Sequence, residues 1–172
     1  MPSMESTSPL KIFQTHTALT SWKDDLEWLV SVFCDVISEE ILQSGAKDLR
    51  AVDRSRSAEI HAMFENIGRH TDSACLLMAV AEEKHIGYFL GVVRECLAEI
   101  PSRIGYVNGL YVLPSHRRQG IGQKLLDEGN RWFRSQGLPL VELYIASENK
   151  SALRFWEKNA YRPSEIVMIT EL

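Results

Sequence analysis

Apolar residues in this chain recur with two periods, and the switches between them mark the elements. Leu26, Leu29, Val30, Phe33, Val36, Ile37 and Ile41 lie on one helical face, behind Thr20 or Ser21 as a cap and ahead of Gly45 as a stop. Ile60, Met63, Phe64 and Ile67 form a second amphipathic helix that ends at Gly68. Leu10 to Phe13 predicts a first strand, and Cys75 to Ala81 is a continuous apolar run, as in a strand covered on both faces. Glu82 to His85 is a polar turn, Ile86 to Val93 returns as a strand, and Glu95 to Arg103 reads as a loop. Ile104 to Leu113 is a further strand, stopped by Pro114. In the helix that follows, Ile121, Leu125, Leu126, Trp132 and Phe133 face one way, and Gln123, Lys124, Asp127, Glu128, Arg131 and Arg134 the other. Leu140 to Ile145 predicts a short buried strand. A helix through Ala152, Leu153, Trp156 and Ala160 comes next, then a last strand from Glu165 to Thr170. The order is β-α-α-β-β-β-α-β-α-β, which predicts an α/β (α+β) fold: a mixed, mostly antiparallel sheet with helices on both faces.

Between the fourth predicted strand and its helix stands Arg117-Arg118-Gln119-Gly120-Ile121-Gly122. A strand passing through a glycine-punctuated turn into a helix start can hold an anion, because the first helical amides lack partners and glycine lets a phosphate approach the backbone. A Walker loop is excluded, since Gly122-Gln123-Lys124 does not supply Gly-Lys-Ser/Thr. A dinucleotide fingerprint is excluded by Leu125 where its third glycine belongs. What remains is Arg/Gln-x-x-Gly-x-Gly/Ala preceded by Leu110-Tyr111-Val112-x-Pro114.

That pattern resembles motif A of the GCN5-related N-acetyltransferases. Ser147-Glu148-Asn149-Lys150-Ser151-Ala152 resembles their motif B, and Phe155-Trp156-Glu157-Lys158-Asn159-Ala160-Tyr161 their aromatic-aromatic-Glu-Lys-x-Gly-aromatic run. The resemblance is strong from Ile104 to Tyr161. It implies a GNAT fold with a splayed central strand pair, and acetyl-coenzyme A as co-substrate. The pyrophosphate would rest on the amides of Arg118, Gln119, Gly120, Ile121, Gly122 and Gln123, with Arg117 beside them. Leu110, Tyr111 and Val112 would meet the pantetheine arm through their main chain, and Asn149, Ser151 and Trp156 would flank it. The implied reaction is direct acetyl transfer to a primary amine of a small molecule or a protein. The alternative is an acyl-coenzyme-binding module with a sensing role. Homodimers are a habit of the family.

Three departures bear on chemistry. Asn108 stands where many relatives carry a carboxylate, Trp156 where many carry a thiolate-protonating tyrosine, and Ala160 where the helix-ending glycine belongs. Glu142 and Tyr144, on one face of the next strand, are the substitute base and acid. A cross-strand polar pair on a solvated face is the alternative reading of both.

The rest of the composition narrows the setting. The chain has 172 residues, 45% hydrophobic and 24% charged, with a net charge of −4, as in one globular domain over residues 9–172 behind a disordered tail, 1–8. The acidic balance offers no pull toward nucleic acid, and no run is long enough to predict a membrane span. Cys34, Cys75 and Cys96 lack any paired spacing, and the five histidines, His16, His61, His70, His85 and His116, show no metal-ligand pattern. A cytoplasmic protein using no metal is the expectation.

Overall fold

The computed structural model describes residues 9–43, 57–97, 100–165 and 168. Its elements run β1 (Lys11–Gln14), α1 (Trp22–Gln43), α2 (Ser57–Arg69), β2 (Ala74–Ala81), β3 (Lys84–Glu95), β4 (Arg103–Val112), α3 (Ile121–Ser135), β5 (Val141–Glu142) and α4 (Lys150–Lys158), with one 3-10 turn over Pro114–His116. The five strands form one sheet in chain order, antiparallel throughout except for the parallel pair β4 and β5.

The apolar run of β2 is explained by a core on each face. Cys75, Leu77 and Ala79 pack with Phe89, Leu125, Leu126 and Phe133 under α3, together with Trp156 of α4. Leu76 and Met78 face the opposite way, onto Trp22, Leu26, Leu29 and Phe64 of α1 and α2. Helices therefore cover both faces, as the order of elements predicts. The tight turn between β2 and β3 is made by Glu82 and Glu83, both with positive φ. Lys84 and His85 already belong to β3.

A carboxylate sits inside this fold. Asp25 is fully buried and accepts from the hydroxyls of Thr15 and Ser21 and, at 2.7 Å, from Nε2 of His85. Three hydrogen-bond partners replace the water lost around the buried oxygens. His85 is thus a structural partner tying β3 to α1.

Three expectations differ from the structure. Glu95 and Arg103 pair with each other at the ends of β3 and β4, outside the loop. The strand predicted over Leu140 to Ile145 shrinks to Val141–Glu142, with Leu140 46% and Tyr144 64% exposed. The backbone loses its neighbour there because β5 meets β4 only at Gly105 and Tyr106. The last predicted strand falls largely outside the described residues, as do Gly45 and the tail 1–8, and Glu165 and Met168 lie in no strand.

Candidate functional site

The site begins where β4 and β5 part. Beyond Gly105↔Val141 and Tyr106↔Glu142 they make no further pairs, so the β4 edge from Val107 to Val112 is open toward the Leu143–Ile145 segment. On its other side β4 stays bonded to β3, but Leu90 faces Gly109 while Gly91 faces Val107, which leaves Asn108 as an extra bulged residue. The bulge sets which backbone groups look into the gap. The N–H of Leu113 bonds the carbonyl of Ile86, so the alternation of an antiparallel ladder turns Tyr111 and Gly109 toward β3 as well. Leu110 and Val112 turn their N–H and C=O into the gap. Of the three strand residues expected to meet a ligand through main chain, two do face it. Tyr111 does not: its backbone is spent on Tyr88.

At the upper end of the gap lies the glycine turn. Gly120 is the N-cap of α3 with φ of 79°, and Arg118 also has a positive φ, 65°. The amide of Arg117 bonds the carbonyl of Pro114, and that of Lys124 bonds the carbonyl of Gly120. Between them, the amides of Arg118, Gln119, Gly120, Ile121, Gly122 and Gln123 reach no backbone acceptor among the described residues. Six successive donors at the positive end of a helix are an arrangement that can cradle an anion. A side chain at Gly120 would meet nothing within 4 Å, so the space above the turn is open.

The side chains around the cradle brace it. Nε of Arg117 donates to the carbonyl of Val112 at 2.9 Å, and its guanidinium lies 5.5 Å from the ring of Tyr111. Gln123 donates to Asp127 and to Asn159, pinning the start of α3 to the end of α4. Gln119 reaches the carbonyl of Ser115.

Across the gap, α4 presents its first turn. Oδ1 of Asn149 accepts from the amide of Ala152 as the helix cap, leaving its Nδ2 as the donor available to a ligand. Ser151 is exposed beside it. Trp156 is only 7% exposed and lies in the core between Phe155 and Tyr161. The aromatic ring bordering the gap is that of Phe155, which sits with Leu110 and Val112 around the Cβ position of Gly122. Sequence reasoning passed over Phe155, although it lies four residues from Ser151 and so shares its face.

Glu142 and Tyr144 come together at the closed end of the gap, on the face that carries α1 and α2. They do so with two residues the sequence did not single out. The guanidinium of Arg94 lies 4.0 Å from the centroid of the Tyr106 ring and 3.7 Å from Glu142, and the ring of Tyr144 meets Tyr106 edge-on at 5.7 Å. Burial raises the Tyr106 phenol above its usual pKa, opposed by Arg94. The signal for this cluster is register, since Arg94 and Tyr106 are distant in sequence and only strand pairing makes them neighbours. A cavity of about 510 Å³ lies off this path, against Trp28, His85, Leu113 and His116. Among the described residues no group of side chains is arranged to hold a metal, and no helix is long and apolar enough to cross a membrane.

Comparison with known proteins places this arrangement. The chain is 34% identical over 103 residues to a probable N-acetyltransferase, HLS1, of Arabidopsis thaliana, a match covering 47% of this chain and 24% of that protein. It is 28% identical over 64 residues to the uncharacterized N-acetyltransferase MJ1207 of Methanocaldococcus jannaschii, covering 37% and 28%. The chain thus spans about a quarter of the length of these curated relatives. Among solved structures, the BH1408 protein of Bacillus halodurans superposes with a TM-score of 0.76 at 17% identity, over 94% of this chain and 99% of that one. AAC(6′)-Iy in complex with a bisubstrate analog of coenzyme A and acetylneamine superposes at 0.65, with 15% identity over 96% and 99%. These likenesses establish the fold. The model of the acetyltransferase (GNAT) family matches residues 39–161, which include the bulged strand, the cradle and α4. The chain belongs to that family.

Proposed function

We propose that the protein transfers an acetyl group from acetyl-coenzyme A to a primary amine, of a small molecule or of a protein, by direct attack. The observation carrying this reading is the run of six amides, Arg118 to Gln123, with no backbone acceptor among the described residues, at the head of a gap whose wall offers the backbone groups of Leu110 and the N–H of Val112. A diphosphate fits the cradle, and an arm bearing amides fits the gap as a missing strand would.

The coenzyme supplies the acyl group as a thioester, whose thiolate, with a pKa of about 8.5, leaves at neutral pH with little help. The chain's own residues do the rest. The amides of the turn hold the diphosphate, and the N–H of Val112, pointing into the gap, polarises an acyl oxygen. Nδ2 of Asn149 and the exposed hydroxyl of Ser151 hold the arm from the α4 side, where Trp156 acts from behind Phe155. Asn108 cannot take a proton from the incoming amine. Glu142 and Tyr144, half open to water, are the groups proposed to receive and return protons through solvent. Because an alkyl amine is mostly protonated at pH 7, the rate should rise with pH.

The setting proposed is cytoplasmic, where coenzyme and cysteines outside any disulfide, such as Cys34, Cys75 and Cys96, coexist. Homodimer formation is proposed by family habit. Asn108 in place of a carboxylate and Trp156 in the core favour, as a second reading, a module that binds acyl-coenzyme A and senses it without turnover.

One pair of measurements tests both readings. Coenzyme A should raise the melting temperature of the wild type in proportion to ln(1 + [L]/Kd). Gly120→Val should abolish that rise, whereas Gly122→Ala should keep it, because the motif accepts alanine there and the added Cβ makes only ordinary contacts at 3.7–3.9 Å. Folded Gly120→Val that binds coenzyme A like wild type would remove the cradle. Thiol release across a panel of amines then separates the two: release supports the transferase, and binding without release supports the sensor.

A further inference from the structure

Four side chains ring the closed end of the gap, and one of them is a cation lying on an aromatic face. The face of Tyr106 lies under the guanidinium of Arg94, the carboxylate of Glu142 stands at its edge, and the phenol of Tyr144 closes the side. An aromatic face with a carboxylate beside it binds an organic cation of any origin. The present occupant is held loosely. Its ion pair is 3.7 Å long, with Arg94 and Glu142 39% and 45% exposed, and exposed pairs of that kind contribute little. Arg94 is also the penultimate residue of β3, with water to move into. The seat lies at Tyr106↔Glu142, the last pair before the strands part, and on the face opposite α3 and α4. On the acetyl-transfer reading, on which this inference rests, the acyl end of the arm arrives at that apex, and the acceptor must approach from the α1–α2 side.

From this we infer that Tyr106, Glu142 and Tyr144 form a recognition subsite for a second, charged nitrogen of the acceptor. The acceptor class is then a diamine or polyamine, and Arg94 is an internal occupant displaced when it binds. One nitrogen stays protonated on Tyr106 and Glu142 while the other, neutral, faces the thioester. An acceptor carboxylate held by Arg94 is the competing arrangement. It is disfavoured because the guanidinium already spends its face on Tyr106 and its edge on Glu142.

Three probes of equal chain length read the sign of the seat: putrescine, γ-aminobutyrate and the corresponding amino alcohol. Each is titrated calorimetrically into the free protein and into protein saturated with coenzyme A, where no chemistry occurs, and each is assayed for thiol release. Putrescine should bind about tenfold more tightly than the amino alcohol, and γ-aminobutyrate most weakly, as a cation–π contact and an exposed ion pair together allow. Glu142→Gln and Tyr106→Leu should shrink the putrescine-to-alcohol ratio, and Arg94→Ala should raise putrescine affinity roughly threefold by vacating the seat. Coenzyme A binding serves as the folding control for each variant. Preference for γ-aminobutyrate that vanishes in Arg94→Ala would overturn the inference in favour of an anion anchor. Slower turnover of Glu142→Gln on all three probes is what its proton role predicts and does not bear on the seat, whereas an unchanged ratio in that variant would leave Glu142 its proton role alone and overturn the seat. Absence of probe binding to either form would do the same. Failure of coenzyme A itself to bind would bring down the acetyl-transfer reading instead, and the titrations of the free protein would still decide the seat.

Discussion

Ala160 shows at the scale of one residue what the sequence could and could not reveal. It stands where the family motif has glycine, and it takes φ of 65°, the left-handed conformation that alanine disfavours. The hydrogen bonds explain why. The amide of Tyr161 bonds the carbonyl of Trp156 at 3.1 Å and that of Ala160 bonds Glu157 at 3.0 Å, the paired closure of a helix C-terminus that needs a left-handed residue in between. The rings of Trp156 and Tyr161, 4.9 Å apart in the core, hold the turn against its strain. The motif marked the position, but a departure from it reads as a doubt until the tertiary packing is known. The left-handed conformation costs alanine about 1–2 kcal/mol, and the greater freedom of glycine in the unfolded chain offsets part of that. Ala160→Gly should therefore stabilise the protein by about 0.5–1 kcal/mol, seen as a higher urea midpoint at unchanged slope. A lower midpoint would mean that the turn is not strained.

At the scale of elements, local signals were legible and directions were not. The helices and most strands follow from periodicity, and the cradle from glycine spacing beside a strand end, because both are written within a few consecutive residues. Which backbone groups of β4 face the gap depends on where the bulge falls, and Asn108 carries no mark of it. Hence the sequence names Leu110, Tyr111 and Val112 as one set, whereas the register turns the backbone of Leu110 and Val112 to the gap and that of Tyr111 to β3. The Arg94–Tyr106–Glu142 cluster needed the pairing of three strands to become visible. The seating of α3 is a further case. Gly129 lies in mid-helix, where sequence alone recommends alanine by about 1 kcal/mol. In the fold, a Cβ there would run into the ring of Phe89, which is buried and packed edge-on against Phe133 at 6.0 Å. Overpacking of that kind costs about 1–3 kcal/mol. Gly129→Ala should thus lower the melting temperature despite its better helix propensity, while coenzyme A still raises it, because the cradle at the far end of α3 is untouched. A rise in melting temperature would show that α3 can lift from the sheet.

For the whole molecule, two groups in or against the α3-side core, distant in sequence, bind the stability of the fold to alkaline pH. Burial, with a smaller contribution from Glu128, raises the Cys75 thiol from 9.0 to about 12. Burial raises the Tyr161 phenol from 10.0 to about 12, with Arg134 working against it. Both folded values lie above the unfolded ones, so the stability tied to each neutral group is fully present below the unfolded pKa. It is lost as pH climbs toward the folded one, because the unfolded chain releases its proton first. Urea melts should show a plateau below pH 9, a decline that begins with Cys75, and a steeper fall once Tyr161 joins near pH 10. Removing a thiol from the core costs packing at every pH, so the slope and not the absolute stability is the readout. Cys75→Ala should flatten the decline between pH 9 and 10 while leaving the later fall in place. Tyr161→Phe should flatten the later fall, and it also gives up the hydroxyl's 3.3 Å bond to Asn130. If Cys75→Ala declines as steeply as wild type from pH 9, the thiol ionises as readily folded as unfolded, and the β2 face beneath α3 is open to water where the structure has it closed.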